Sequence, residues 1–405
     1  MRFLLLLSAL VACSVASSAV AQDRLDVDGL VDVRWVHATG DLSYLDGGIG
    51  VLRFDPDHDG LRLGRAMLAT RLRVSDTISV HAVLDAYGDH NGNVADLSEL
   101  WADVRPFPTG PIRWRARVGA FYAPVSLENR GPGWSDVYTI TPSAINTWLG
   151  EEFRTIGAEI EGRWLGADSG YGGDLALTAA VYGWNDAAGS LLAERGFAMT
   201  DRPAPLFGGL GMPSAGTFHE IDQRPGYYAG LDWHHHGWLD VRALRYDNRA
   251  DPAASSTEGG TAWSTSYTSA GVRMEPGTRW TLIAQGLSGD TLTSPGPGEG
   301  GRFQMTFRGM YALASFEQVH DRLTIRYDHF SEHQAAGGYY GPPSTGNGHG
   351  YTLGWTHSLG EHWELAAEWI RLTSTFPPRI EYDLPPGFIE SQVQLAVRYR
   401  FQLRT

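Results

Sequence analysis

The residues that could carry chemistry are arginines placed at every second position. In IRWRARVGAFY, residues 112–122, they are Arg113, Arg115 and Arg117, and mostly apolar or small residues lie between them. This spacing is typical of a β-strand, because successive side chains point to opposite faces. A row of guanidinium groups lowers the cost of stripping water from an anion. The segment therefore predicts a strand with one cationic face and one hydrophobic face.

Other segments repeat the pattern. Alternation places arginines on one register near residues 61–74 and again in SQVQLAVRYRFQLRT, residues 391–405. The candidate anion-facing residues are Arg65, Arg71, Arg73, Arg113, Arg115, Arg117, Arg130, Arg398 and Arg400. Acids such as Glu99, Asp103 and Glu159 share these registers. The sequence leaves open whether the arginines attract anions or only balance neighbouring acids.

One acidic segment suggests a metal site. DPDHDG places Asp55, Asp57 and Asp59 at the spacing with which a calcium loop begins. Ala66 stands where an EF-hand needs a bidentate acid, so the pattern indicates at most a weak Ca²⁺ site. A solvated acidic turn explains the same residues. The histidines at 234–236 are likewise explained by a hydrophilic turn, and no cofactor is expected.

Alternating hydrophobicity predicts about sixteen strands in an all-β chain. They lie near 27–38, 61–74, 77–87, 95–105, 112–122, 154–164, 174–184, 226–234, 238–246, 264–274, 279–287, 302–315, 322–330, 351–359, 362–373 and 391–403. The connections between them are alternately short and long. This asymmetry and an even strand number are typical of bacterial transmembrane β-barrels, which are apolar outside and polar inside. We therefore predict an antiparallel barrel whose arginines face a lumen.

The two ends and the composition agree with this prediction. Residues 1–21 resemble a cleaved signal peptide that ends in Ala19-Val20-Ala21, with a lipoprotein signal at Cys13 as the alternative. Residues 22–405 then form one barrel domain. No later apolar run reaches the roughly 18 residues of a spanning helix. The formal net charge of −14 argues against general nucleic-acid binding.

Tryptophans add to the membrane prediction. Several stand on the apolar register near strand ends, as in interfacial aromatic girdles, although a core position would explain any one of them. These are Trp35, Trp114, Trp164, Trp233, Trp280, Trp355 and Trp369. We expect the outer face to contact outer-membrane lipid and lipopolysaccharide.

The loop at residues 123–153 is unusually long, and such loops are usually functional or disordered. It contains proline, tryptophan and the helix-like segment SAINTWLGEE. We expect it to fold into the barrel as a constriction. A loop that merely covers the surface is the alternative.

Residues 60–131 resemble the outer-membrane porins of the phosphate-selective O and P type. The likeness rests on the arginine-rich strand, a strand with a lumenal aspartate, and a Gly-x-Phe-x-x-Pro-x-Ser-x-Glu segment. In this chain the segment consists of Gly119, Phe121, Pro124, Ser126 and Glu128. The resemblance implies a sixteen-stranded trimeric porin that passes anions, with these residues leading into the constriction loop.

The chain departs from that family in two places. Tyr122 stands where the family commonly has a cation, and all 32 basic residues are arginine, so a phosphate-binding lysine cluster is excluded. The resemblance therefore implies the fold and the pore role, and it leaves the preference for phosphate open. We predict passive uptake of small hydrophilic solutes, with a lean towards anions.

Two other classes of barrel remain possible. An outer-membrane protease or lipase would need a nucleophile or a paired acid and histidine, and no G-x-S-x-G elbow is present. A ligand-binding surface barrel would carry a plug sequence or repeats, and none is visible. We therefore expect a channel and not an enzyme.

Overall fold

Sixteen antiparallel strands close into a barrel in the computed structural model of the chain. The model describes residues 24–88, 95–166, 168, 170–207, 218–235, 237–256, 260–294, 302–335 and 344–404. The predicted signal peptide and His236 lie outside the described residues. Within that part of the chain, no helix is both long enough and apolar enough to cross a membrane.

The barrel strands follow one another around the wall, each bonded to its neighbours in sequence, and the last strand pairs with the first. The strands are β1 (Leu25–Thr39), β2 (Gly60–Arg73), β3 (Ile78–Ala86), β4 (Ala95–Val104), β5 (Ile112–Tyr122), β8 (Arg154–Trp164), β9 (Gly173–Gly183), β10 (Gly226–His235), β11 (Leu239–Asp247), β12 (Ser264–Met274), β13 (Trp280–Thr293), β14 (Phe303–Gln318), β15 (Asp321–Gln334), β16 (Ser344–Leu359), β17 (Trp363–Thr375) and β18 (Gly387–Arg404). Two short strands between β5 and β8, β6 (Asn129–Gly131) and β7 (Ser135–Asp136), pair only with each other.

The wall is hydrophobic outside and polar inside, as the alternation predicts. In β1, Val31, Val33 and Trp35 are exposed on the outer face, whereas Asp32 and Arg34 are only 1% exposed and point inward. A water-soluble barrel would place these residues the other way round. In a closed barrel, the backbone N–H and C=O groups of every strand are hydrogen-bonded to neighbouring strands. This wall can therefore lie in a bilayer without unpaired backbone groups.

The tryptophans of the predicted girdle lie on the outer wall. Four of them are exposed there. They are Trp35, Trp114, Trp233 and Trp280. Trp164, Trp355 and Trp369 stand on the same face with intermediate exposure.

The outer face supplies a direct test of the membrane assignment. Val118 in β5 is 60% exposed on that face. We expect Val118→Arg to destabilise the folded barrel by about 2–4 kcal/mol, because arginine on the lipid side of a barrel is costly near the bilayer midplane. Urea unfolding in lipid vesicles, followed by tryptophan fluorescence, measures the loss.

The matched control is Gln402→Arg, because Gln402 lies on the inner register of β18 at the short-turn end. Its new guanidinium enters water, so we expect little change in stability. Equal losses from the two variants would contradict the assignment of the two faces.

Short turns lie at one end of the barrel and long loops at the other, as predicted. Several strands run further towards the long-loop end than the hydrophobic pattern indicates: β16 begins at Ser344 and not near 351, and β13 ends at Thr293 and not near 287. The segment STGNGHG at the start of β16 alternates glycine with polar residues. A period-two hydrophobic signal is therefore missing there, although the backbone is paired with β15.

Candidate functional site

The long loop between β5 and β8 binds inward-facing side chains of strands on several sides of the barrel. Backbone N–H groups of Ile140 and Thr141 donate to Glu368 on β17, at 2.7 and 3.0 Å. The backbone N–H of Leu127 donates to Gln285 on β13, at 3.2 Å. At a third point of the wall, the backbone carbonyl of Gly133 accepts from Arg65 on β2 at 2.8 Å. The loop therefore spans the interior.

One arginine holds the middle of this loop. Arg326 on β15 donates to the Thr139 hydroxyl and to the carbonyls of Thr141 and Pro142, at 2.8–2.9 Å. It also donates to Asp328 at 2.9 Å. With its side chain fully buried, Arg326 replaces every lost bond to water by a bond to the loop or to the wall.

Two loop carboxyl groups complete this cluster. Glu128 and Asp136 approach Arg326 to 3.5 and 3.6 Å, and all three side chains are fully buried. Burial raises the pKa of Glu128 and raises that of Asp136 well above its usual range. The opposing attraction of Arg326 favours the ionised forms. Glu128 also accepts from the backbone N–H of Ser143 at 2.7 Å, just before helix α1 (Ala144–Glu152).

Helix α1 is the apolar anchor of the loop. It begins after Ser143, whose hydroxyl accepts from the backbone N–H of Asn146 and so caps the helix. All nine of its residues are buried. Trp148 packs edge-on against Phe153 and Phe307, with ring centroids 4.5 and 4.7 Å apart. The helix therefore lies against an aromatic section of the wall.

The predicted constriction residues lie at the end of β5 and the start of this loop. Phe121 is fully buried under Arg117, whose guanidinium is 4.2 Å from the ring centroid. Pro124 is half-buried. Ser126 turns the chain by accepting from the backbone N–H groups of Glu128 and Asn129, at 3.2 and 2.9 Å.

Two other long loops also fold inward, which the sequence interpretation missed. The connection at residues 184–225 contains helix α2 (Ser190–Arg195) and continues through the buried segment 197–204. The backbone N–H of Met199 donates to Val51 in the connection at 40–59, at 2.9 Å. That of Phe197 donates to Glu332 on β15, at 3.0 Å. Described parts of three connections therefore lie in the interior at the long-loop end of the barrel.

A buried ion pair joins the three loops. Arg195 bonds to Glu151 of α1 and stacks over the ring of Tyr44, 4.3 Å from its centroid. The Tyr44 hydroxyl in turn contacts Glu151 and, at 3.2 Å, Thr200. Because each loop supplies at least one charged or hydroxyl group, release of one loop leaves buried polar groups of the others unpaired.

Most of the predicted anion-facing arginines are paired with acids. Their shortest N–O distances are Arg65–Asp85 2.7 Å, Arg73–Asp26 3.0 Å, Arg115–Asp103 2.6 Å, Arg117–Glu159 2.7 Å, Arg398–Asp32 2.8 Å and Arg400–Glu364 3.4 Å. Within the described ranges, Arg71, Arg113 and Arg130 have no carboxylate oxygen within 4.0 Å. The lumen wall therefore carries both signs of charge, with few uncompensated cations.

The arginine face of β5 includes an aromatic stack. Trp101 on β4 lies flat against the ring of His81, with centroids 3.9 Å apart. Arg115 and Arg117 lie 5.3 and 5.5 Å from the Trp101 ring. Such cation–π contacts stabilise a desolvated arginine without neutralising its charge.

Polar cavities lie beside the loop that spans the interior. One of about 290 Å³ is lined by Arg34, Arg65, Asp201 and Arg398 together with loop residues 131–140. A second, of about 470 Å³, contains Arg130. A third, of about 530 Å³, contains Arg71. These volumes suit small hydrated solutes, and charged groups of both signs line each cavity.

The structure does not bring the three predicted calcium ligands together. Asp59 accepts instead from His37 and from the backbone N–H of Ala38, at 2.6 and 2.7 Å. Asp55 receives the backbone N–H of Asp57 at 2.9 Å and caps a short 3-10 turn. The carboxylates of Asp55 and Asp59 therefore bind different partners, and the weak Ca²⁺ site stays a prediction.

Asp55 instead groups with Asp46 and His58. The ligand atoms of the three residues lie within 4.8 Å of one another. The Asp55 carboxylate already accepts backbone N–H groups, which explains its position without an ion.

Comparisons with known proteins give a likeness of fold. No protein-family model and no curated protein matches the chain. The chain is similar to OmpT in its trimer form, an outer membrane protein of Vibrio cholerae, at 11% identity and a TM-score of 0.51, covering 94% of this chain and 100% of that one. It is similar to the outer membrane channel DcaP of Acinetobacter baumannii at 10% identity and a TM-score of 0.55, covering 95% and 99%.

A third similar structure is an anion-selective porin from Comamonas acidovorans, at 13% identity and a TM-score of 0.50, covering 94% of this chain and 100% of that one. At these identities the match concerns the backbone and not the site residues. Together with the hydrophobic outer wall, it identifies the chain as an integral outer-membrane barrel with the fold of porins.

Proposed function

We propose that the protein is a non-enzymatic outer-membrane channel for passive uptake of small hydrophilic solutes, with a lean towards anions. The observation that carries this proposal is the charged inner register of a closed barrel, beside which a loop leaves polar cavities of about 290–530 Å³. Loop 123–153 acts as the constriction, because it spans the interior. At the level of this loop, an ion that has lost part of its hydration shell meets side chains of both charges. These side chains lower the free-energy cost of its dehydration.

The predicted anion path follows the arginine registers. Arg65, Arg117 and Arg398 act with their acids as a field across the lumen, whereas Arg71 and Arg130 supply uncompensated positive charge in two cavities. Arg71 and Arg130 therefore set the preference of the channel for anions over cations. The resemblance to phosphate-selective porins supports this path, although the lysine-free composition points to anions more generally.

We further propose that the chain assembles as a homotrimer, with lipid and lipopolysaccharide around its outer wall. One structurally similar barrel, the Vibrio cholerae protein, is described in a trimer form. The exposed hydrophobic wall can meet either lipid or another copy. Chemical cross-linking in mild detergent, read on a denaturing gel, tests the trimer.

Planar-bilayer recording tests the channel. We expect stepwise conductance. In a salt gradient, we expect the reversal potential to lie closer to the equilibrium potential of the anion than to that of the cation. A silent bilayer with lipid or peptide hydrolysis in the same preparation would favour an enzyme instead. A silent bilayer with saturable solute binding would favour a ligand-binding barrel.

The lean towards anions has its own test. We expect Arg71→Gln combined with Arg130→Gln to lower the anion-to-cation permeability ratio by about twofold or more, because charged side chains that line a pore set its selectivity and these two arginines line two of the polar cavities. Reversal potentials in a potassium chloride gradient measure the ratio. Arg224→Gln, in the connection at 184–225, removes an exposed cation that pairs with Asp251 and serves as the control. Equal shifts from both changes would show that general surface charge sets the preference.

A further inference from the structure

A carboxylate from the second inward loop lies between two buried arginines. Asp201, in the connection at 184–225, places one oxygen 2.8 Å from Arg53 and the other 2.9 Å from Arg34. Both arginine side chains are at most 1% exposed. This is the geometry of a bound carboxylate ligand, with each oxygen held by a separate guanidinium.

The charges around Asp201 make the position selective for an anion. Arg34 also bonds to Asp32, but Asp32 is shared with Arg398, at 2.8 Å. Asp201 therefore supplies the second negative charge that this group of arginines needs. The two guanidinium groups hold the pKa of Asp201 well below its usual range, so it is ionised at neutral pH. An empty position would leave buried positive charge uncompensated.

The position can be reached from the lumen. Asp201 and Arg34 both line the cavity of about 290 Å³ beside loop 123–153. The side chain of Asp201 contacts Arg34 on β1 and Arg53 in the connection at 40–59. A carboxylate in the cavity would meet Arg34 directly, and would meet Arg53 once the Asp201 side chain has moved aside.

We propose that Arg34 and Arg53 form a binding site for small carboxylates, and that Asp201 is its built-in occupant. The ligand class follows from the group that already fits: a carboxylate with one oxygen for each guanidinium. The role of this site in solute uptake rests on the channel function proposed above. Asp201 is tethered beside the site, so it competes with a bound carboxylate and shortens the residence time of that solute. A short residence time suits conduction, because a solute must leave the site as well as bind to it.

Chemical rescue tests the site without any need for conductance. We expect Asp201→Ala to lower the thermal unfolding midpoint in detergent. Sodium formate should then raise that midpoint by roughly 2 °C or more above the value in sodium chloride of equal ionic strength. Acetate should act more weakly than formate, because the vacated position is about the size of one carboxylate. Asp251→Ala, at an exposed acid paired with Arg224, is the control and should show no difference between salts.

Further variants locate the effect. Asp201→Ala with Arg53→Gln should lose the preference for formate over chloride. Equal effects of formate and chloride on Asp201→Ala would overturn the site, as would an equal preference for formate in Asp251→Ala. If Asp201→Ala does not fold, Asp201→Ser, whose short side chain also vacates the position of the carboxylate, is tested by titration calorimetry. There, measurable formate binding above that of the wild type supports the site, and none overturns it.

Bilayer recording then separates the site from the channel function. We expect Asp201→Asn to raise the anion-to-cation permeability ratio by about twofold, because it removes negative charge at the narrow level of the lumen, and Asp251→Asn to leave it unchanged. If the wild type gives no conductance, the proposed channel function fails while formate rescue still decides the site. If the wild type conducts and the rescue fails, the channel stands and the carboxylate site is overturned.

Discussion

Arg326→Met should destabilise the folded barrel by about 3–5 kcal/mol, because removing one partner from a buried ion pair leaves the other charge uncompensated. Arg326 is fully buried, and it bonds to Asp328 and to three groups of loop 123–153. Its loss leaves the carboxyl groups of Asp328, Glu128 and Asp136 without this cation. Urea unfolding in detergent, followed by tryptophan fluorescence, measures the change in unfolding free energy.

Two further variants show whether charge causes this loss. In Arg326→Met combined with Glu128→Gln and Asp136→Asn, we expect part of the stability to return, because the buried acids are neutralised together with the arginine. Arg73→Met removes an exposed pair with Asp26 and should cost about 0–1 kcal/mol. A loss from Arg326→Met no larger than that from Arg73→Met would contradict the role assigned to this cluster.

Trp148→Ala should be the second large effect, at about 3–5 kcal/mol for loss of a fully packed tryptophan. The side chain is fully buried and its ring contacts aromatic rings of the loop and of β14. Its indole N–H donates to Glu152, a group whose pKa burial raises to about 7. If the loop detaches while the barrel stays closed, the loss is limited to the free energy of that local opening.

The measurement therefore includes the loop itself. Limited proteolysis of the folded Trp148→Ala variant, with the cleavage sites mapped by mass spectrometry, should show faster cleavage within residues 123–153. Trp184→Ala removes an exposed tryptophan and should change stability by no more than about 0.5 kcal/mol. Unchanged proteolysis together with an unchanged unfolding midpoint would show that α1 does not anchor the loop.

The barrel was predictable because lipid on one side and the polar lumen on the other impose the same two-residue alternation of side chains on every strand. Lipid outside and polar groups inside require alternation, so sixteen strands could be assigned before any packing was known. The prediction is weaker where the wall passes beyond the hydrophobic segment. At the start of β16 the strand continues through glycine and polar residues, and only the pairing with β15 reveals it.

The interior was less predictable, because it depends on which strands and loops meet. Alternation within a strand predicts which side chains share a face, but the pairing of Arg65 with Asp85 depends on the register between β2 and β3. The acids named at the outset as possible counter-charges, such as Asp103 and Glu159, do bind arginines. A count of the arginines along one strand therefore overstates the positive charge of the lumen, because acids on neighbouring strands neutralise part of it.

The second inward loop was missed, although the sequence contains a signal for it. A solvated loop would rarely contain Leu191, Leu192, Phe197 and Met199 within nine residues, and all four are buried. The partners of Asp201 could not be inferred in the same way. Arg34 and Arg53 are distant in sequence and meet Asp201 only when two loops pack inside the barrel.

The seam between β1 and β18 has a consequence for biogenesis. It pairs Asp26 with Arg404 and Thr39 with Ser391, so the wall stays open until β18 pairs with β1. An open wall would present two rows of unpaired peptide groups to hydrocarbon, each costing several kcal/mol. Entry of the strands into the hydrocarbon and sealing of the β1–β18 seam must therefore occur together.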